Sequence, residues 1–344
     1  MSEPFLQLKE TDRREILQSA AEELGITAQI LEKDVWVCWA LGKLFELPGA
    51  KPMAFKGGTA LSKIWGAIRR FSEDIDVTID YRSFGTGFDH LAGKVSSNQR
   101  KQITQELRAA VKAYTSSVVR PHFENALRDE LPGGAYEINH SEDGEQLILS
   151  YPSTVSADAK NPYILDSVLL EFGGRNTLEP NAVHTVTTYL DGAEGIQGVS
   201  FPEAHGVVAV DVLRTFWEKV TLIHAACGKE PATVKAKRLS RHWYDLHMLV
   251  TGGPVDLEPA LVDAALLREV VALKNVFYYA GSANYEHCLD GGLVLEPERE
   301  LLGRIAKDYE EMRDMNLVAG EPPKFEVILG TIHHIQSTVN SHFG

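Results

Sequence analysis

Apolar residues at helical spacing dominate the first part of the chain. They predict two amphipathic helices, over residues 12–23 and 27–45, with Gly25 between them. Residues 32–34 (EKD) stand at the edge of the second apolar stripe. A solvated shoulder of the helix explains such charges without any function.

The pattern changes between residues 52 and 80. A short apolar run leads to the sequence GGT at residues 57–59, and apolar spacing then predicts a helix over residues 60–70. Strict alternation of apolar and polar residues follows over residues 74–80, which is typical of a strand. This segment therefore predicts a strand, a glycine loop, a helix and a second strand in close succession.

The second of these strands carries acids on one face. Because side chains alternate along a strand, Asp74 and Asp76 point the same way, with Cα atoms roughly 7 Å apart. A solvent-exposed antiparallel strand shows the same alternation. The strand alone therefore leaves a functional site and a plain surface strand equally open.

The remaining pattern completes the predicted fold. Residues 98–131 form a long helical stretch within an insertion at about 84–150, and two short strands close that insertion. After residue 254 the pattern is helical. We therefore expect an α/β (α+β) protein with a small mixed sheet, in which helices pack against the sheet. The expected regions are an N-terminal helical segment (1–50), a core (51–210) and a helical C-terminal domain (211–344).

Composition narrows the class of protein. The 344 residues are 44% hydrophobic and 24% charged, as in ordinary globular chains. The longest apolar runs are far shorter than a bilayer span, and three scattered cysteines form no disulfide framework. These features predict a cytoplasmic protein without a membrane partner. A formal net charge of -14 argues against a protein that coats DNA or other nucleic acid.

The glycine loop and the acidic strand together indicate phosphate chemistry. Gly57 and Gly58 let backbone N–H groups approach an anion, and Thr59 adds a hydroxyl at the start of the predicted helix. Asp74 and Asp76 would repel that anion unless a cation lay between them. Mg²⁺ (or Mn²⁺) fills this role with an NTP, because Mg²⁺ binds carboxylates and phosphate oxygens together.

The segment from GGT to FSEDIDV resembles the opening motif of DNA polymerase-β-like nucleotidyltransferases, and it is most similar to AbiEii-type toxins of type IV toxin–antitoxin systems. Later segments look similar too: EKD at 32–34, LRTFWEKVTLIHAA at 213–226 and RHWYDLHML at 241–249. The resemblance implies a polymerase-β-like core, Mg²⁺ and NTP, with Asp74 and Asp76 as catalytic metal ligands. It also implies a growth-inhibiting toxin with an RNA acceptor, tRNA first, and a cognate antitoxin.

Two later residues enter the predicted site through that resemblance. Lys219 lies beside a buried helical stripe, where a lysine can bury its stem and aim its ammonium at phosphate oxygens. Asp245 matches an acidic residue of the family's later motif, which supports catalysis or orients the lysine. On the residues alone, a surface position also explains Lys219, and an ion pair with Arg241 at i, i+4 also explains Asp245.

Two further features are open on the sequence alone. Polymerase-β-like sites recruit a third carboxylate, and Glu171, in the predicted strand over residues 163–175, is the candidate metal ligand. Asp166 faces the opposite side of that strand. The basic cluster of Lys235, Lys237, Arg238 and Arg241 is either an RNA contact or a solvated run of charges.

Three functional hypotheses follow. The first is a Mg²⁺-dependent nucleotidyltransferase that moves NMP from NTP to an acceptor hydroxyl. The second is a non-enzymatic nucleotide-binding or interaction module that keeps the fold. The third is a kinase-like enzyme that transfers the γ-phosphate. Pyrophosphate release identifies the first, and nucleoside diphosphate release identifies the third.

Overall fold

The structure is a computed structural model that describes residues 2–91, 95–131, 133–155, 161, 164–262, 264–315, 318 and 320–344. The strands are β1 Glu3–Pro4, β2 Met53–Lys56, β3 Ile75–Asp80, β4 Glu137–His140, β5 Gln146–Ser150, β6 Ser167–Asn176, β7 Asn181–Val186, β8 Val199–Ser200 and β9 Ala204–Val210. The helices are α1 Glu10–Leu24, α2 Ala28–Phe45, α3 Gly57–Lys63, α4 Ser97–Tyr114, α5 Arg120–Glu130, α6 Val212–Cys227, α7 Arg241–Val250, α8 Leu257–Val262, α9 Ala265–Phe277, α10 Arg299–Asp314 and α11 Phe325–Phe343. No helix among the described residues is long and apolar enough to cross a membrane.

The described chain divides into two compact units. The first comprises Met1–Ile64, Ser72–Gly85 and Gln105–Ala209. The second comprises Trp65–Phe71, Thr86–Thr104 and Val210–Gly344. Residues 2–50 thus share a unit with the sheet, and two short segments of the N-terminal half join the helical C-terminal unit.

A seven-stranded mixed sheet forms the first unit, in the order β4-β5-β6-β3-β2-β9-β7. β3 is central: it runs parallel to β6 on one side and antiparallel to β2 on the other. The expected α/β class with a mixed sheet is confirmed. β3 is not a solvent-exposed antiparallel strand, because it pairs in parallel with β6 and because Thr78 and Asp80 on its polar face are buried.

The N-terminal helices follow the sequence pattern closely. α1 ends at Gly25, which adopts a left-handed φ of 66°, the conformation that favours glycine at a helix C-terminus. Thr27 caps α2, since its side chain accepts a hydrogen bond from the Ile30 N–H. Trp36 of α2 stacks on Tyr151 with ring centroids 5.0 Å apart, in the core against the sheet.

The predicted helix over residues 60–70 is wrong in its bounds. α3 begins at Gly57 and ends at Lys63. Gly66 then takes a left-handed φ of 56°, a conformation that cannot continue a right-handed helix. Ala67 and Ile68 are buried outside helical structure, so the helical spacing of this segment was misleading.

The long helical stretch of the insertion is present as α4 and α5. One turn of π-helix, Thr115–Val119, joins them. Pro121 lies in the first turn of α5. Because proline lacks an N–H and its ring crowds the preceding turn, the helix widens just before it.

The second unit is helical, as predicted for the C-terminal region. Phe216, Trp217, Val220 and Ile223 of α6 are buried, which confirms the apolar stripe. Contacts of α6 with α7 and α9, and of α7 with α11, build the core of this unit.

Candidate active site

Four side chains form a row across four strands of the sheet. Asp76 of β3 is the register partner of Lys56 on β2 and of Glu171 on β6. Glu171 is in turn the partner of Gln146 on β5, whose side-chain amide donates a hydrogen bond to the Glu171 carboxylate. All four residues are half-buried. The row is therefore held by the sheet and open on its outer side.

The charges in this row perturb Asp76. Burial raises the pKa of Asp76, and the charges of Glu171 and Asp74 raise it further, whereas Lys56 lowers it in part. The resulting pKa is about 7. A carboxylate whose pKa is raised by burial and by neighbouring carboxylates favours either a retained proton or a bound cation.

Gly57 leaves the space that the Asp76 carboxylate occupies. A Cβ atom at residue 57 would lie 2.0 Å from Oδ2 of Asp76, and Gly57 has a φ of 77°. Both the close approach and the left-handed backbone require glycine. The first glycine of GGT is thus needed to make room for Asp76 on the adjacent strand, independently of any phosphate.

Thr59 fixes the segment that carries Asp74. Its hydroxyl is buried and donates to the carbonyl oxygen of Asp74 at 2.7 Å, with Ser72 Oγ at 3.1 Å. Gly58 is buried at the same helix start. The side chain of Thr59 therefore anchors the acidic strand, and phosphate contacts of Gly57, Gly58 and Thr59 stay a prediction.

The charges of residues 32–34 are buried, so the interpretation as a solvated shoulder is wrong. Lys33 Nζ lies 2.5 Å from Glu73 Oε2 and donates to the carbonyl of Leu165 at 2.9 Å. Glu73 directly precedes Asp74, and Lys33 is 3% exposed. Lys33 thus fixes the position of Glu73, which leads into Asp74 and β3.

The two neighbours of Lys33 on α2 are also paired. Asp34 Oδ1 accepts from Lys63 of α3 at 2.7 Å, and Asp34 Oδ2 accepts from the Tyr189 N–H at 2.6 Å. Glu32 accepts from the N–H and the hydroxyl of Thr154, each at 2.7 Å. Other segments of the first unit surround α2, so three consecutive charged residues of this helix are buried. The hydropathy of the local sequence does not indicate this burial.

A second charged group lies in the helical unit. Asp245 of α7 is fully buried and accepts from Arg70 Nε at 2.7 Å and Arg70 Nη2 at 2.9 Å. Lys219 Nζ of α6 lies 2.8 Å from Asp245 Oδ2. Arg70 is 175 residues from Asp245 in sequence, which is why spacing alone pointed to Arg241 and missed it.

This group holds two cations on one carboxylate. Burial alone would raise the pKa of Asp245, but the charges of Arg70 and Lys219 and their hydrogen bonds hold it well below its usual value. Burial lowers the pKa of Lys219, and Arg70 and Arg241 add to that effect against the attraction of Asp245. Arg70 and Lys219 therefore both stabilise the ionised Asp245 carboxylate.

The structure thus gathers the predicted residues in two groups. Gly57, Gly58, Thr59, Asp74, Asp76 and Glu171 lie in the first unit, and Lys219 and Asp245 lie in the second. The sequence analysis missed Lys33, Lys56, Arg70 and Gln146. Lys56 directly precedes GGT and Lys33 lies in EKD, so both had a local signal, whereas Gln146 and Arg70 are found only through the register and the folded contacts.

The acids of the row fit a divalent cation by their donor chemistry. Their oxygens are hard ligands, and Mg²⁺ needs only one or two carboxylates, because phosphate oxygens and waters complete its shell. Burial is the largest cause of the raised pKa of Asp76, and the nearby charges of Glu171 and Asp74 add to it. Among the described residues, no three His, Cys, Asp or Glu side chains are already arranged around a metal position, so Glu171 as a third ligand stays a prediction.

Comparison with known proteins is consistent with this chemistry. Residues 39–331 match the model of the family described as nucleotidyl transferase AbiEii toxin, type IV TA system. No curated protein matches the chain. Among solved structures, the chain is similar to MenT4, a nucleotidyltransferase toxin from Mycobacterium tuberculosis H37Rv, at 16% identity and a TM-score of 0.43, over 95% of this chain and 99% of that one.

Proposed function

Because the chain belongs to the AbiEii family of nucleotidyltransferase toxins, we propose that it moves a nucleoside monophosphate from an NTP to an acceptor hydroxyl of RNA, in a Mg²⁺-dependent reaction. The pairing of Asp76 with Glu171 in the strand register, beside Asp74, is the observation that carries the proposal. It brings carboxylates together on a half-buried surface, where Lys56 offsets their charge only in part and a bound cation would offset more.

The reaction forms one bond and breaks one. The acceptor oxygen bonds to the α-phosphorus of the NTP, the bond from that phosphorus to the β-phosphate oxygen breaks, and pyrophosphate and the hydroxyl proton are released. Asp74 and Asp76 would hold the metal ion, with Glu171 as the third candidate. When bound, Mg²⁺ supplies charge neutralisation for the triphosphate and the leaving pyrophosphate.

The remaining roles fall to residues of the chain itself. Thr59 and Lys33 keep the Asp74 segment in place through the contacts described above. Backbone N–H groups at Gly57 and Gly58 would contact phosphate oxygens. By the family resemblance, Lys219, which pairs with Asp245, would contact phosphate oxygens as a point charge.

The biological role follows from the family. We infer a growth-inhibiting toxin with tRNA as the first acceptor to test, kept inactive by a cognate antitoxin protein. Expression of the chain alone should arrest growth of a bacterial host, and co-expression of the neighbouring antitoxin should relieve the arrest.

Transfer of label tests the biochemical proposal. The protein is incubated with Mg²⁺, each α-labelled NTP in turn and total bacterial RNA, in parallel with Asp74→Asn/Asp76→Asn and with Asp129→Asn, an exposed acid on α5. We expect labelled RNA and pyrophosphate with the native chain and the Asp129 variant only. Release of nucleoside diphosphate would identify a kinase-like enzyme, and binding of NTP without turnover would identify a non-enzymatic module.

A further inference from the structure

A basic loop precedes α7 in the helical unit. Residues 229–240 contain four lysines and arginines and one acid, Glu230, in a chain with a net charge of -14. Lys229, Lys235, Lys237 and Arg238 are exposed. Among the described residues, Lys235 and Lys237 show no ion pair or hydrogen bond of their side chains, so their charges face solvent.

The shape of this basic loop is fixed by α10. Arg304 donates to the carbonyls of Pro231 and Val234, each at 2.7 Å. Asp308 accepts from the N–H of Arg238 at 2.5 Å and from the N–H of Ser240 at 2.9 Å. These four hydrogen bonds hold the backbone on both sides of the lysines, which a freely moving charged run would not require.

Burial alternates along the held segment. Val234 and Ala236 are 6% and 9% exposed, whereas Lys235 and Lys237 between and after them are exposed. The two lysines therefore point outward on the same side. Preordered cations lose less conformational entropy when they bind a polyanion than flexible ones do.

The backbone conformation of Arg238 is a second observation that supports a binding role for this basic loop. Its φ is 60°, in the left-handed region, where glycine or asparagine is favoured. A long cationic side chain stands there even so. The loop therefore has an exposed arginine at a strained backbone position, close in sequence to the two exposed lysines.

The basic loop is close to the cationic cluster of the same unit. It runs through Ser240 into α7, whose first residue, Arg241, lowers the pKa of Lys219. Exposed positive charge thus continues toward the residues that would meet the triphosphate. A surface that holds the acceptor needs this proximity, whereas a surface for an antitoxin does not.

We propose that residues 229–238 form a docking surface for the phosphate backbone of the RNA acceptor. This inference rests on the proposed function, because it assigns RNA as the acceptor class. Since the rest of the chain is acidic and repels RNA, the basic loop also determines the orientation in which RNA approaches.

Binding without turnover tests the surface separately from catalysis. All measurements use the full chain carrying Asp74→Asn/Asp76→Asn, so that a failure of nucleotidyl transfer leaves the result unaffected. Fluorescence anisotropy of labelled bulk tRNA is recorded from about 50 to about 300 mM NaCl, because phosphate contacts weaken strongly over roughly this range of salt. The added changes are Lys235→Gln/Lys237→Gln, with Lys9→Gln/Lys101→Gln as a control of equal charge at two exposed lysines.

The expected result is specific to the loop. Lys235→Gln/Lys237→Gln should weaken binding about tenfold at low salt and lower the slope of log K against log salt by roughly 0.7 for each lost contact. The control pair should stay near the unmodified protein. Arg238→Asn, which suits the left-handed backbone, should weaken binding in the same direction.

Two outcomes would overturn the proposal. One is equal loss of affinity in the loop variant and in the control, which would assign the effect to net charge. The other is unchanged tRNA binding with lost binding of polyglutamate, which would assign the loop to an acidic protein partner.

Discussion

Asp76 of β3 and Glu171 of β6 are direct partners in the parallel register of the central sheet. Burial raises the pKa of Asp76 to about 7, and repulsion by the Glu171 carboxylate is the next largest cause. The pair therefore binds a cation more tightly when it is fully ionised.

The first prediction concerns pH. An aspartate in an unfolded chain has a pKa of about 3.9, so between that value and about 7 the folded state binds more protons at Asp76. The contribution of this group to the free energy of unfolding is thus lost as pH rises through that window. Mg²⁺ should offset the loss, so the gain in Tm on adding Mg²⁺ should be larger at pH 8 than at pH 6.

Thermal unfolding with and without Mg²⁺ measures this gain. In Asp76→Asn the difference between the two pH values should largely disappear. An equal gain at both pH values in the native chain would argue against metal binding at Asp76.

The second prediction separates stability from activity. Asp76→Asn removes the repulsion by Glu171 and can donate a hydrogen bond to it, so the metal-free protein should become more stable at pH 8, by on the order of 1 kcal/mol. Nucleotidyl transfer should be abolished. A variant that loses both stability and activity would indicate that Asp76 is mainly structural, and chemical denaturation provides the comparison.

The third prediction concerns Gly57. A methyl group there would lie 2.0 Å from Asp76 Oδ2, so Gly57→Ala should displace the carboxylate and abolish activity. The matched control is Gly25→Ala, which has a similar φ of 66° and open space around its Cβ position. Both variants pay about 1–2 kcal/mol for the left-handed backbone. Only Gly57→Ala should also lose Mg²⁺-dependent stabilisation, and equal behaviour of the two would contradict the role of the contact.

The fourth prediction concerns the buried cations. Arg70→Met removes one of the two cations, Arg70 and Lys219, that pair with the buried Asp245 carboxylate. Loss of one partner from a buried ion pair costs about 3–5 kcal/mol. Arg120→Met breaks an exposed pair with Glu124 and should cost less than about 1 kcal/mol. Urea unfolding distinguishes the two. Similar small losses would mean that Arg70 is not needed to hold Asp245.

The sequence predicted the elements whose cause is local. The start of α2 next to Thr27, the break at Gly25 and the alternation in β3 all depend on neighbours within a few residues. The helix over residues 60–70 failed because Gly66 adopts a left-handed conformation that the apolar spacing does not reveal.

Site residues show the same division between local and distant causes. Asp74 and Asp76 stand out through alternation, and Glu171 through its strand. The pairing of Asp76 with Glu171 and Lys56 depends on strand order, which no single segment encodes. The burial of Glu32, Lys33 and Asp34 depends on segments up to 155 residues away, so hydropathy placed those charges in solvent.

The buried charges of α2 also constrain the order of folding. Their partners lie at residues 63, 73, 153–154 and 189, so α2 cannot satisfy them until distant parts of the first unit have assembled. Contacts of this separation form late and slow the search for the native state. We therefore expect Glu32→Gln to speed unfolding in stopped-flow experiments while leaving the refolding rate nearly unchanged. The segment that holds the acids would then be the last part of the unit to become rigid, and activity would appear only when folding is complete.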